Sequence, residues 1–110
     1  MKGKIILIPV PYTDLTAAKL RPSLVIFEGR RDLIVAAITS KMLNVVPEWD
    51  VFIRAEDPDF YKTGLKVSSV LKLTKISTVR KDLAEGEIGD IDGDYAFLEI
   101  QNTNVGEDTK

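Results

Sequence analysis

Ser23-Leu-Val-Ile-Phe-Glu28 runs through Gly29-Arg30-Arg31-Asp32 into Leu33-Ile-Val-Ala-Ala-Ile-Thr39. Two runs rich in Val, Ile and Phe, bounded by a short polar and glycine-containing segment, read as two strands joined by a tight turn. Gly29 is expected to supply a positive φ in that turn. Leu33–Thr39 is apolar nearly throughout, which predicts a strand buried on both faces.

Working outward, Lys4–Val10 is a short β-branched run stopped by Pro9-Val-Pro11 and reads as a first strand. Tyr12–Arg21 has no firm period and reads as a loop. Asp50–Arg54 alternates as a fourth strand, and Ser68–Thr74 as a fifth. Between them, Glu56–Gly64 with Asp57-Pro58-Asp59 is turn-rich. Lys81–Gly86 reads as a single helical turn stopping at Gly86, and Ile88–Ile91 as a short strand. Residues 94–102 suit a short helix or an edge strand, and 103–110 a polar, frayed tail. Many short strands joined by close turns predict a mainly β fold: a small antiparallel, SH3-like β-barrel of five to seven strands with one or two short helices. It occupies residues 1–102, with 103–110 as a tail. A length of 110 residues is one domain's worth.

Composition excludes more than it assigns. The chain has no Cys and no His. That removes a disulfide framework, a thiol nucleophile, a Cys- or His-based zinc site and imidazole acid–base chemistry. The apolar run Ile5–Pro11 is too short for a signal peptide or a membrane span, so no membrane role and a cytoplasmic location are expected. Residues 1–81 hold 14 Lys and Arg against 8 Asp and Glu, whereas residues 82–110 hold 1 against 9. A basic body with an acidic end points to a polyanionic partner for the body. Asp57, Asp59, Asp90, Asp92 and Asp94 invite a metal reading, but Asp90-Ile-Asp-Gly-Asp94 lacks the downstream Glu and full ligand set of a calcium loop, so it reads as a polar turn and no metal site is assigned.

Gly3-Lys-Ile-Ile-Leu-Ile-Pro-Val-Pro-Tyr-Thr-Asp-Leu15, then Lys19-Leu-Arg-Pro-Ser-Leu-Val-Ile26, then Ile34-Val-Ala-Ala-Ile-Thr-Ser-Lys41 follow one another in an order and spacing that resembles the MazF/PemK toxins of toxin–antitoxin pairs. Gly64-Leu65, Ser69-Val70, Ile76-Ser-Thr-Val79 and Ile88-Gly89 extend the resemblance, which covers roughly residues 3–91. Two features depart from it. Lys75-Ile-Ser-Thr78 stands where the family commonly has Gln-Ile-Arg-Thr, and the C-terminal end is short and acidic rather than a longer amphipathic helix.

The resemblance implies a MazF-type barrel that pairs as a homodimer and cuts single-stranded RNA with a sequence preference. It also implies that no metal or other cofactor is used and that a cognate antitoxin neutralises the protein. It makes Arg21 and Thr39 catalytic. Their chemistry suits the task. The planar fork of Arg21 makes paired, charge-assisted bonds to phosphate that strengthen as negative charge builds in the transition state. Pro22 fixes the backbone just beyond. The Thr39 hydroxyl donates and accepts. Tyr12, Thr13, Lys19 and Leu20 precede Arg21 and suit gripping unstacked bases. Ser40, Lys41, Lys72 and Lys75 add hydroxyl and positive charge for RNA binding. Other readings stay open: Arg21 paired with a carboxylate such as Asp14, Thr39 as a β-former, Tyr12 as a lid on the core, and the lysines as solvated surface. The whole barrel also suits a non-catalytic or gyrase-poisoning binding module, because fold alone does not set function.

Overall fold

A computed structural model describes residues 1–11, 18–42 and 45–91. The short helix or edge strand expected at 94–102 and the polar tail expected at 103–110 lie outside the described residues. Six strands form one antiparallel sheet in the order β4-β5-β3-β2-β1-β6. They are β1 (Lys4–Pro11), β2 (Ala18–Glu28), β3 (Asp32–Thr39), β4 (Asp50–Ile53), β5 (Ser69–Arg80) and β6 (Gly86–Asp90). Two single 3-10 turns, Phe60–Thr63 and Lys81–Leu83, are the helical pieces among the described residues. None of the described helices is long and apolar enough to cross a membrane.

The mainly β, small-barrel expectation holds, as a curled half-barrel. Ile5, Leu24, Ala36, Ile38, Leu71, Val51, Ile53 and Ile91 form one buried cluster. Because it joins residues from β4 at one end of the sheet to the end of β6 at the other, the sheet must curl around it. Leu33, Val35, Val25, Ile6 and Ile8 form a second cluster on the outer face, packed by Val79 and Ala84. β3 therefore contributes to both faces, through Leu33 and Val35 outward and Ala36 and Ile38 inward, as its unbroken apolar run predicts.

The two ends of the curl meet at a seam. The turn Phe60–Thr63 packs against β6. A Cβ on Gly64 would lie 2.0 Å from the Ile88 carbonyl oxygen, and one on Gly89 would lie 2.3 Å from that of Lys62. Gly64 also has φ +74°, a conformation that favours glycine. Thr63 is buried here and donates its hydroxyl to the Phe60 carbonyl at 2.7 Å while accepting from the Leu65 N–H at 3.0 Å. The Gly64-Leu65 and Ile88-Gly89 pairs thus have one physical cause: two backbones touch.

Several boundaries differ from expectation. Lys19, Leu20 and Arg21 lie in β2, not in a loop, because β2 starts at Ala18 and pairs with β1 as far as Pro11. Gly29 does not have a positive φ; the glycines that do are Gly3 and Gly64 among the described residues. The Gly29 N–H donates to the Asp32 carbonyl at 2.8 Å, and a Cβ there would meet that oxygen at 3.2 Å. Close approach, not the dihedral, is what favours glycine. β4 stops at Ile53 rather than Arg54. β5 continues to Arg80 rather than stopping at Thr74. Its register against β3 jumps, with Ala37 opposite Lys72 and Ala36 opposite Ile76. The unpaired Leu73–Lys75 stretch breaks the alternation a reader of the sequence would follow. The helical turn after β5 ends at Leu83, and Gly86 opens β6 instead of closing a helix.

Candidate functional site

Arg21 stands opposite Ile8 on β1, and Ser23 stands opposite Ile6 on β1 and Ala37 on β3. Side chains alternate along a strand, so Arg21, Ser23, Ala37 and Thr39 all belong to the outer face that carries Ile6 and Ile8. The recorded β2–β3 pairing ends at Ser23–Ala37, whereas the β1–β2 pairing runs on to Ala18. Pro22, which has no N–H to give to a neighbouring strand, sits where the ladder stops. Carrying the same register two residues further sets Arg21 opposite Thr39, across the gap that the lost pairing leaves. Arg21 and Thr39 are both half-buried. The Thr39 Oγ1 accepts the Lys41 backbone N–H at 3.1 Å, which turns the chain sharply out of β3. Ser40 and Lys41 are exposed on that turn.

The other sequence-singled residues divide. Lys19 is exposed and shares the parity of Arg21; Leu20 points to the opposite face and is also exposed. Lys75 is exposed on the unpaired stretch of β5. Tyr12 and Thr13 lie outside the described residues. Lys72 does not extend a cationic surface: it is only 4% exposed, and its Nζ lies 2.5 Å from Asp50 Oδ2. The reason is register. Asp50, Lys72 and Ala37 form one row across β4, β5 and β3, and a cation placed there meets a carboxylate rather than solvent. Asp50 Oδ2 also accepts the Val46 N–H at 2.8 Å, and Oδ1 accepts from the Thr74 hydroxyl at 3.4 Å. Burial pushes the Asp50 carboxyl up, but the Lys72 hydrogen bond and the Val46 N–H outweigh it and hold the carboxyl below its ordinary range. Asp90 and Asp59, considered above as acidic turn residues, pair with Lys4 and Lys62, each at 3.5 Å.

Sequence reading missed Phe52 and Arg54. The next row on the same face as Asp50–Lys72–Ala37 is Phe52–Val70–Thr39. Phe52 is thus on the outer face with Thr39, two strands away, and the Arg54 guanidinium carbon lies 5.0 Å from its ring centre. The alternation of Asp50–Arg54 was visible; which face it shared was not. Two concavities of about 470 and 500 Å³ lie at the Gly29–Asp32 turn, at the other end of the hairpin. Their cations are partly neutralised, Lys81 by Glu28 at 2.8 Å and Arg80 by Asp82. We place the candidate site by chemistry and register at Arg21 and Thr39.

The chain is thus a curled antiparallel half-barrel with an Arg-Pro step in its second strand and a hydroxyl residue ending its third. Residues 1–102 match the family of PemK-like, MazF-like toxins of type II toxin–antitoxin systems, and the chain belongs to that family. An endoribonuclease solved in complex with its cognate antitoxin from a mycobacterial species superposes with a TM-score of 0.66 at 15% identity, over 94% of this chain and 88% of that one. The Mycobacterium tuberculosis toxin MazF-mt6 superposes with a TM-score of 0.63 at 21% identity, over 93% and 96%. At these identities the two structures establish the shared fold. No curated protein sequence matches the chain.

Proposed function

We propose that this toxin-family protein is an endoribonuclease that cuts single-stranded RNA at the gap between β2 and β3, with a sequence preference and without a metal. The observation that carries this reading is that Arg21 and Thr39 share one face, each two residues beyond the last β2–β3 pair, Ser23–Ala37, where Pro22 interrupts the ladder. The fold likeness to an endoribonuclease bound to its antitoxin supports it. In this reading the RNA's 2′-oxygen attacks the adjacent phosphorus and the 5′-oxygen leaves, giving a 2′,3′-cyclic phosphate and a 5′-hydroxyl end. Solvent water takes the 2′-proton as the new P–O bond forms, and water returns a proton to the 5′-oxygen as the old bond breaks. Arg21 stabilises the extra negative charge on the phosphorane oxygens, because a guanidinium stays charged at neutral pH and strengthens its bonds as that charge grows. The Thr39 hydroxyl donates to a non-bridging oxygen and holds the phosphate in line. Lys19, Lys41 and Lys75, all exposed, supply counter-charge for the flanking phosphates. Tyr12, Thr13, Leu20 and Ser40 complete the proposed RNA contacts.

The protein acts as a homodimer in the cytoplasm and is held inactive by a cognate antitoxin. The test is incubation of the protein with a defined single-stranded RNA in EDTA, followed by analysis of the product ends. Cyclic phosphate ends are expected from the wild type, and a loss of at least about a hundredfold in rate from Arg21→Ala. Full activity in that folded variant refutes the mechanism. RNA left intact by the wild type refutes the activity and returns the chain to a non-catalytic binding role.

A further inference from the structure

We infer that Phe52 and Arg54, at the open edge of the sheet, form a station that stacks and selects an RNA base beside the cleaved linkage. The inference rests on the proposed ribonuclease reading and deepens it. β4 is the outermost strand at its end of the sheet. Phe52 lies in the row Phe52–Val70–Thr39, on the same face of the sheet as the candidate Thr39, with Val70 buried between them. Antiparallel neighbours place opposing Cα atoms about 4.5–5.5 Å apart, so Phe52 lies about 10 Å from Thr39 along the row. Stacked nucleotides advance about 3.4 Å each and splayed ones cover more, so this span is at most about three nucleotides.

The chemistry at that distance is suited to a base. Phe52 is half-buried, which fixes its ring, while Arg54 just beyond the strand is exposed. The guanidinium carbon sits 5.0 Å from the ring centre, within cation–π range. The ring thus sits beside the guanidinium of a residue that is otherwise exposed. Unstacked RNA bases pack on aromatic rings and on guanidinium planes, and the N–H groups at the edge of the plane can bond base or phosphate oxygens. The ring holds the arginine in place, so less side-chain freedom is lost on binding than for a lone surface arginine. The Asp50–Lys72 pair lies in the next row on the same face and anchors β4 to β5, so Phe52 is carried by a fixed strand rather than by a loop.

The experiment compares wild type, Arg54→Gln, Arg54→Lys and Phe52→Leu. Affinity for an RNA with a 2′-deoxy sugar at the cut position is measured by fluorescence anisotropy, and cut-site preference is read on a randomised RNA. Base stacking contributes enough that about a 5- to 100-fold loss of affinity is expected for Arg54→Gln and Phe52→Leu. KM should rise with kcat held within about threefold, and base preference should relax at one position near the cut. Arg54→Lys should keep the charge but not the planar stack, so it should restore phosphate attraction without restoring the base preference. Phe52 is half-buried, so Arg54→Gln at an exposed position keeps the idea testable if Phe52→Leu proves unstable. Wild-type affinity and unchanged cut-site preference in Arg54→Gln overturn the inference while the ribonuclease reading stands. A wild-type protein that neither binds nor cuts RNA overturns both.

Discussion

Replacing Lys72 with Met removes a charge while keeping the length of the side chain. Lys72 and Asp50 are the most deeply buried ion pair among the described residues, with side-chain exposures of 5% and 0% and a separation of 2.5 Å. After Lys72→Met the Asp50 carboxylate keeps, among the described residues, the Val46 N–H and the distant Thr74 hydroxyl. Removing one member of a buried pair leaves an uncompensated charge and costs about 3–5 kcal/mol. That is a large part of the total of about 5–15 kcal/mol available to a domain. At about 4–8 °C per kcal/mol, the melting temperature should fall by at least about 12 °C. Urea denaturation followed by the single Trp, Trp49, reads the change, since it adjoins Asp50 in the chain. The double variant Asp50→Leu/Lys72→Met substitutes apolar contact for the pair and should recover most of the loss. The pH dependence has a definite sign. The folded Asp50 pKa is held below its ordinary value, so the pair contributes stability above the unfolded carboxylate pKa, and that contribution is lost as pH falls through the lowered folded one. Lys72→Met should therefore flatten the acid side of the stability curve. A loss of under about 1 kcal/mol, the range of an exposed pair, refutes the structural role of Lys72.

Gly89→Ala forces a Cβ to within 2.3–2.4 Å of the Lys62 and Thr63 backbone, so thermal unfolding should show a loss of at least about 1–3 kcal/mol; an unchanged midpoint refutes the seam. Gly64→Ala adds left-handed strain to the same clash and should cost more. Glu28 is held down to about 2 by hydrogen bonds from Lys81 and from the N-terminal amine, so its carboxyl should titrate near that pH by NMR. Acetylating the amine should raise the midpoint, and no change would count against the Met1–Glu28 contact. Sedimentation at micromolar concentration should show a two-fold dimer, and a monomer would contradict the proposed assembly.

The elements that could be read from the chain were those whose burial is written in a single periodicity. Leu33–Thr39 is apolar on both faces, and its strand, burial and turn follow from that. β5 could not be read past Thr74, because Leu73–Lys75 drop out of the pairing and the alternation restarts after them. Lys72 shows the same limit for the site. In sequence it is a polar residue between Leu71 and Leu73, as a solvated lysine would be, and only the register places Asp50 against it. The Arg21-Pro22 step was visible as a candidate, but its position inside a strand was not. Its strand pairs with β1 alone in that part, a tertiary fact that local pattern does not contain. Phe52 and Arg54 alternate visibly, yet their sharing a face with Thr39 requires the β3–β5–β4 order.

β6 is held to the sheet by pairing with β1, from Lys4–Asp90 to Leu7–Gly86. No ladder joins β6 to β4 among the described residues; the Gly64 and Gly89 backbones only touch there. This pairing closes the longest loop of any in the sheet, and long closures form late because entropy must be lost before contacts are gained. During synthesis from the N-terminus, Ile5-Ile6-Leu7-Ile8 therefore waits with one edge unpaired while most of the chain is still being made. An apolar edge of that kind is a template for pairing with another chain. The nascent protein is thus most prone to self-association in the interval before residues 86–90 emerge, and chain release or stalling within that interval should yield aggregates rather than a smaller folded form.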